Sequence, residues 1–308
     1  MIILHRMENK RRESGKMNEF KAYHPMVNFA FFVCAICFSV LLMHPACLFV
    51  SLFSSLAYLA VLKGRKTLLA HLLYMLPLAL ATALINAAFN HEGATILAYL
   101  PGGNPLTLES VVYGLCAAAM ILSVICWFSC YNEVMTSDKF IYLFGRVSPA
   151  LSLIFSMTLR FVPRFTEKLR EVTIARRSLG KGAGNRNVRA RIKSGLSSLS
   201  ATLTWALENS IETADSMKAR GYGIPGRTSF SIYIFEKKDK IALALIFALS
   251  LCVIYGRICG SLSFSYFPTF GVARSDFAAV SSVFGYFLLC VMPIIIELKG
   301  VRRWKKSE

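Results

Sequence analysis

The chain has 308 residues, 55% of them hydrophobic, with a mean hydropathy of +0.53 and a formal net charge of +18. That composition argues against a soluble domain. The apolar residues fall in charge-free blocks of roughly 17 residues or more, enough to cross about 30 Å of hydrocarbon as helix and too continuous for barrel strands. In a membrane protein the positive charge reads as loops facing anionic lipid, not as a nucleic-acid surface.

Residues 1–26 are polar and basic (Arg6, Lys10, Arg11, Arg12, Lys16, Lys21). Their apolar core starts too late for a signal peptide, so they read as a retained cytoplasmic tail. Spans are predicted over about 27–43 and 47–62, with a turn at His44-Pro45. A basic loop, Lys63-Gly-Arg65-Lys66, follows. The third predicted span covers 68–89, with Pro77 inside it as a kink. Residues 90–107 hold no Lys or Arg and carry Pro101-Gly-Gly-Asn-Pro105, a loop signal. The fourth span covers 108–131. A long basic region over 132–240 precedes a fifth span at 241–255 and a sixth at 277–296. The aromatic stretch at 260–271 between those two is short and reads as interfacial. The organisation is therefore a tail at 1–26, spans one to four at 27–131, a cytoplasmic region at 132–240, and spans five and six with a basic end at 241–308.

Orientation follows from the Lys and Arg count. Residues 132–240 carry 19, the tail 6 and the C-terminal end 5, against none in 90–107. The positive-inside bias then puts both termini in the cytoplasm of a multi-pass protein of the cell membrane. No Asp, Glu, Lys or Arg lies well inside a span; Glu109 and Glu297 sit at ends. Ion-coupled transporters usually hold an ionisable group at membrane depth, and diphosphate chemistry needs clustered carboxylates for Mg²⁺. Gly180-Lys-Gly-Ala-Gly184 lacks the ending of a phosphate-binding loop and reads as a flexible turn. The five histidines show no ligand spacing, and the nine cysteines lie in or beside apolar runs, Cys34 and Cys37 among them, as structural thiols. No cofactor or metal site is expected.

The central region reads as two long amphipathic helices, about 149–179 and 187–220. In the first, Arg160, Arg164 and Lys168 recur at steps of four with Phe161, Phe165, Leu169 and Val172 between them; Ser148 is a candidate N-cap and Pro163 a bend. In the second, Val188, Ile192, Leu196, Leu199, Leu203, Leu207, Ile211, Ala214 and Met217 form one stripe of 3.6-residue period. That stripe fits a helix packed on its neighbour, or a helix lying across the membrane base beneath the spans. Both helices end in arginine followed by glycine: Ala175-Arg176-Arg177 before Gly180, and Ala219-Arg220-Gly221. A cation near a helix C-terminus is favoured by the helix dipole, worth a few tenths to about one kcal/mol. Two such endings below a charge-free bundle also suggest plugs for a partner.

Ala214-Asp-Ser-Met-Lys-Ala-Arg-Gly-Tyr-Gly223 with Gly226-Arg227-Thr228, and the earlier Leu159-Arg-Phe-Val-Pro-Arg-Phe165 with Ala175-Arg-Arg-Ser178, resemble the motifs of the transmembrane T component of energy-coupling-factor transporters, the cobalt-transport permease family. The resemblance covers about residues 20–300 and is densest over 140–228. It implies an all-α integral membrane protein of about six transmembrane helices plus two long amphipathic cytoplasmic coupling helices. It also implies a non-catalytic subunit of an ATP-driven importer of a vitamin or divalent metal ion. Its partners would be two ATP-binding-cassette ATPase subunits, one small substrate-binding membrane protein (the S component) and the lipid bilayer, with no nucleic acid. Ala175, Arg176, Arg177, Ala219, Arg220 and Gly221 would be the ATPase-coupling residues. The first motif departs from the family pattern, since Arg177 stands where a glycine is expected. A membrane enzyme with a cytoplasmic active site and a stand-alone secondary transporter are the alternatives. Missing carboxylate pairs and nucleophile constellations count against the first, and charge-free spans against the second.

Overall fold

The computed structural model describes residues 19–99, 105–180, 188–224, 233–268, 271–272 and 277–307. Most of the basic tail, much of the Pro101–Pro105 turn, the glycine run after Gly180, and Gly226-Arg227-Thr228 lie outside the described residues. Helix dominates, with four short strands beside it. The chain divides into two compact units, residues 1–137 with 233–308 and residues 138–232.

The first unit holds the apolar helices α1 (Pro25–Leu41), α2 (Pro45–Phe89) and α3 (Leu108–Val134). Helices α1 and α2 open alike. Each has a His-Pro start in which the histidine Nδ1 accepts a first-turn backbone N–H, His24 from Met26 at 3.2 Å and His44 from Ala46 at 3.3 Å. Proline then occupies a position whose own N–H would have no partner. Burial holds the His44 imidazole below its ordinary pKa, which keeps its Nδ1 free to accept.

Helix α2 runs 45 residues, about 68 Å if straight and more than twice the hydrocarbon thickness. It breaks at Gly64, whose φ of 81° and ψ of 164° are not helical. Only glycine takes that backbone without strain, and it sits in the basic turn between two apolar halves. Among the described residues, four helices are long and apolar enough to cross a membrane: α2, α3, Lys237–Ile258 and the Phe277–Gly300 part of a last helix; α1 is apolar and shorter. The break falls within the basic turn, Lys63-Gly-Arg65-Lys66, that the sequence places between its second and third spans.

The last two helices of this unit are numbered α7 (Lys237–Ile258) and α8 (Phe277–Ser307) because three others, described below, come between. Its hairpins are small. Strand β1 (Ile96–Tyr99) pairs antiparallel with β2 (Pro105–Thr107), and β3 (Phe264–Ser265) with β4 (Gly271–Val272). The sequence had suggested only a loop and an interfacial segment there.

An aromatic core joins the helices. Phe20, Phe31, Phe32, Tyr58 and Trp127 are fully buried and meet mostly edge to face at 5.2–6.4 Å, the arrangement that ring quadrupoles favour. A polar seam crosses the same bundle. Ser39 Oγ lies 2.6 Å from Ser51 Oγ and 3.0 Å from the Tyr286 hydroxyl, and the Trp127 indole donates to Ser51 at 3.1 Å. Four helices thus share one buried hydrogen-bond chain.

Three carboxylates are buried at span ends, and each accepts backbone N–H groups. Glu297 takes those of Glu19 and Phe20, Asp239 those of His24 and Glu236, and Glu109 that of Thr95 together with the Thr95 hydroxyl. Residues 19–24, placed in the tail by sequence, are therefore tied into the bundle. Helices α7 and α8 meet along small residues: a Cβ on Gly256 would come within 2.6 Å of the Ser282 Cβ. Such close backbone approach is how helices gain contact in lipid.

The second unit holds α4 (Ser137–Val147), α5 (Pro149–Ser178) and α6 (Val188–Ala219). Helix α4 was not foreseen. It meets the start of α5 closely, with the Ser152 hydroxyl donating to the Ile141 carbonyl at 3.4 Å.

Two outcomes test this packing. Gly256→Val should destabilise the chain by about 1–3 kcal/mol through overpacking, read as earlier loss of the monodisperse peak on heating in detergent. Ser282→Gly should restore part of it for Gly256→Ala. Glu297→Ala strands two backbone donors and should cost about 1–3 kcal/mol, seen as faster proteolysis near residue 19, with Glu297→Gln milder.

Candidate coupling helices

Helices α5 and α6 coincide with the two predicted amphipathic segments to within a residue or two. The Ser148 side chain makes no capping hydrogen bond, so α5 starts on its Ser-Pro backbone alone. The two helices are held by a few specific contacts. Phe161 stacks on Trp205 with ring centroids 6.1 Å apart and planes 16° from parallel. The Lys168 ammonium lies 5.7 Å above the same indole and pairs with Glu171 at 2.9 Å. Arg176 Nη1 donates to Ser197 Oγ at 2.6 Å. Later residues of α5 thus meet earlier residues of α6, so the pair runs antiparallel. Ser198 and Thr202 are the buried residues of α6, and their hydroxyls bond back to Ser194 and Ser198 carbonyls. Small hydroxyl residues, not the apolar stripe, therefore face inward.

The stripe is left open. From Val188 to Ile211 its large members are 40–69% exposed. Packing on a neighbour, one of the two readings of that stripe, is not what α5 provides. Leu151, Ile154, Phe155, Leu159 and Val162 on α5 are exposed as well.

The helix ends differ in register. Helix α6 closes in a Schellman arrangement: Tyr222 N–H donates to the Met217 carbonyl at 3.0 Å and Gly221 N–H to that of Lys218 at 2.9 Å, with Gly221 at φ 79°. Arg220 is the residue immediately before that glycine and is exposed, as is Ala219; Gly221 is half-buried. Helix α5 closes at Gly180 with φ 71°, four residues after Arg176 and three after Arg177. Arg176 is half-buried, Ala175 and Arg177 are exposed, and the Arg176 Nε is buried without a partner. The two arginine motifs are therefore not equivalent by position. Neither are they together: Arg176 rests on Ser197, 23 residues before Arg220 (220 minus 197), about 35 Å along α6. Sequence reading missed Ser197 and Trp205. Trp205, the one tryptophan between Trp127 and Trp304, was the available signal.

Among the described residues no group of three or more His, Cys, Asp and Glu side chains is placed to hold a metal ion. The chemistry of these helices is that of exposed cations and apolar surface.

Comparison with known proteins gives a family. The model of the cobalt transport protein family, CbiQ, matches residues 20–230. The chain is similar to the energy-coupling factor transporter transmembrane protein EcfT of Staphylococcus aureus, 30% identical over 111 residues, 36% of this chain and 41% of that protein. EcfT of Bacillus selenitireducens is 30% identical with the same shares, and EcfT of Lactobacillus helveticus 31% over 107 residues, 34% of this chain and 39% of that one. These matches span about two-fifths of the relatives' length. Because the family match covers more than half of the sequence and includes both helix-end arginine motifs, the chain belongs to the cobalt transport protein (CbiQ) family.

Proposed function

We propose that this chain is the transmembrane coupling subunit of an ATP-driven importer of the energy-coupling-factor type. It performs no covalent chemistry. Two ATP-binding-cassette ATPases receive Arg176 and Arg220, and a small substrate-binding membrane protein lies against the apolar faces of α5 and α6. ATP-driven motion of the ATPases passes through these helices to that subunit, which takes up a vitamin or divalent metal ion. The observation that carries the reading is the pair of helix-end arginines about 35 Å apart on one antiparallel helix pair whose apolar stripe is open. One binding partner would have little use for two cations so far apart; two partners would. Arginine suits the task, since its planar fork binds carboxylates bidentately and stays charged.

In this reading the first unit is a six-span bundle: α1, the two halves of α2 on either side of Gly64, α3, α7 and α8. Residues 132–240 face the cytoplasm with both termini, and 90–107 face outside. The charge distribution supports this orientation.

The topology is tested by cysteine labelling in a background freed of reactive thiols. Leu97→Cys, on exposed β1, should react with an impermeant reagent in intact cells, and Glu212→Cys, exposed on α6, should not. The reverse pattern contradicts the orientation.

The plugs are tested by charge reversal. Truncating one partner of a buried charge pair costs about 2–5 kcal/mol, roughly 30- to 5,000-fold in affinity, and reversal costs more. A dipole contribution alone is at most about 2 kcal/mol and shows as fraying. Arg220→Glu and Arg176→Glu should each leave a partial assembly and the double variant none, measured by ATPase co-purification. Arg177→Ala should be milder than Arg176→Glu. Full co-purification with the folded double variant contradicts the proposal.

A further inference from the structure

At the Gly64 break, three polar side chains of the first unit converge beside an apolar surface. Lys63 Nζ donates to Ser129 Oγ at 3.0 Å, and His71 Nε2 lies 3.1 Å from the same oxygen. Lys63 and His71 flank the break on α2, and Ser129 is on α3, five residues before its end at Val134 and so about 8 Å from it. We propose that Lys63, His71 and Ser129 form a binding site for the phosphodiester headgroup of an anionic phospholipid.

Charge is the first argument. An ammonium has three donors, and one of these is used on a neutral hydroxyl. The nearest acid on that helix, Glu133, lies one turn beyond Ser129, and no salt bridge joins it to Lys63. Arg65 and Lys66 are exposed in the same turn and add to the positive field. A lysine at the end of an apolar span, unpaired by carboxylate, favours an anion at headgroup depth, and basic pockets between transmembrane helices take acidic headgroups. Geometry is the second argument. The lysine, hydroxyl and imidazole come from two helices, so the cluster bridges α2 and α3. The third argument separates a lipid from free phosphate. Tyr74, one turn from His71 on α2, and Phe128, beside Ser129 in the sequence of α3, are exposed, and an acyl chain attached to the phosphate would cover such side chains. The site is independent of the ATPase reading; it needs only that the first unit spans a membrane.

The experiment titrates the full chain in mild detergent with phosphatidylglycerol, phosphatidylcholine or inorganic phosphate and reads retained ligand by native mass spectrometry. Phosphatidylglycerol should be retained in preference to phosphatidylcholine. Lys63→Gln should lower that preference roughly fivefold, the factor expected of one basic group at an anionic surface. Lys63→Arg should keep it, and Lys66→Gln should cost less than Lys63→Gln. If Lys63→Gln does not elute as a single folded species, Ser129→Ala carries the test, with the same loss expected. Equal retention of the two lipids, a wild-type preference in Lys63→Gln or in Ser129→Ala, or displacement of the lipid by inorganic phosphate at equal concentration would overturn the proposal.

Discussion

A backbone N–H or a charge left without a partner in hydrocarbon is the costliest error this chain can make, and the first unit is built around avoiding it. Its long apolar stretches are helical, so their backbone is satisfied within each segment. Where the chain enters or leaves a helix, a side chain takes up the free donors. His24 and His44 cap α1 and α2; Asp239 in the first turn of α7 and Glu109 in the first turn of α3 accept backbone N–H groups of His24 and Thr95, and Glu297, within α8, accepts those of Glu19 and Phe20. The Ser39–Ser51–Tyr286–Trp127 seam applies the same rule inside the bundle, pairing hydroxyl with hydroxyl and indole. The break at Gly64 is also a consequence, since a charged turn cannot continue an apolar helix through the bilayer.

The second unit obeys the opposite economy. Helices α5 and α6 meet through contacts that include an aromatic stack, a cation over an indole and an arginine–serine bond, while many of their large apolar side chains stay open. An antiparallel pair with so little shared core gains most of its burial from something else. On the proposed reading that is a membrane-embedded partner, with the ATPases at the arginine ends. Long helices suit transmission because a helix moves as a rod, whereas a loop absorbs displacement. The Arg176 side chain, steadied by Ser197, and the Arg220 side chain, standing free before Gly221, would then couple with different stiffness.

Much of this was legible in the residues. Charge-free runs marked the apolar helices, and the 3.6-residue stripe from Val188 to Met217 gave α6 nearly to its ends, because periodicity reports one long element well. Glycines after arginines marked both C-termini, which the positive φ of Gly180 and Gly221 explains. Pairings distant in sequence were not legible. Phe20 looked like part of a polar tail, yet its ring is fully buried against Phe31, Phe32 and Tyr58, and Glu297, 277 residues on, accepts its N–H. The direction of the α6 stripe was equally hidden, since periodicity shows that a face exists without showing what covers it. The two hairpins were too short to leave a periodic trace, whereas α4 did carry one, Phe140, Leu143, Phe144 and Val147 at helical spacing, which was passed over.

The central claim is that this chain joins two ATPases to a substrate-binding membrane protein. Its most direct measurement is the mass and subunit composition of the complex purified through the wild-type chain in mild detergent. The account predicts one copy of this chain with two nucleotide-binding subunits and one small membrane protein. A chain that purifies alone, without nucleotide-binding subunits and with its α6 face still open, would contradict it.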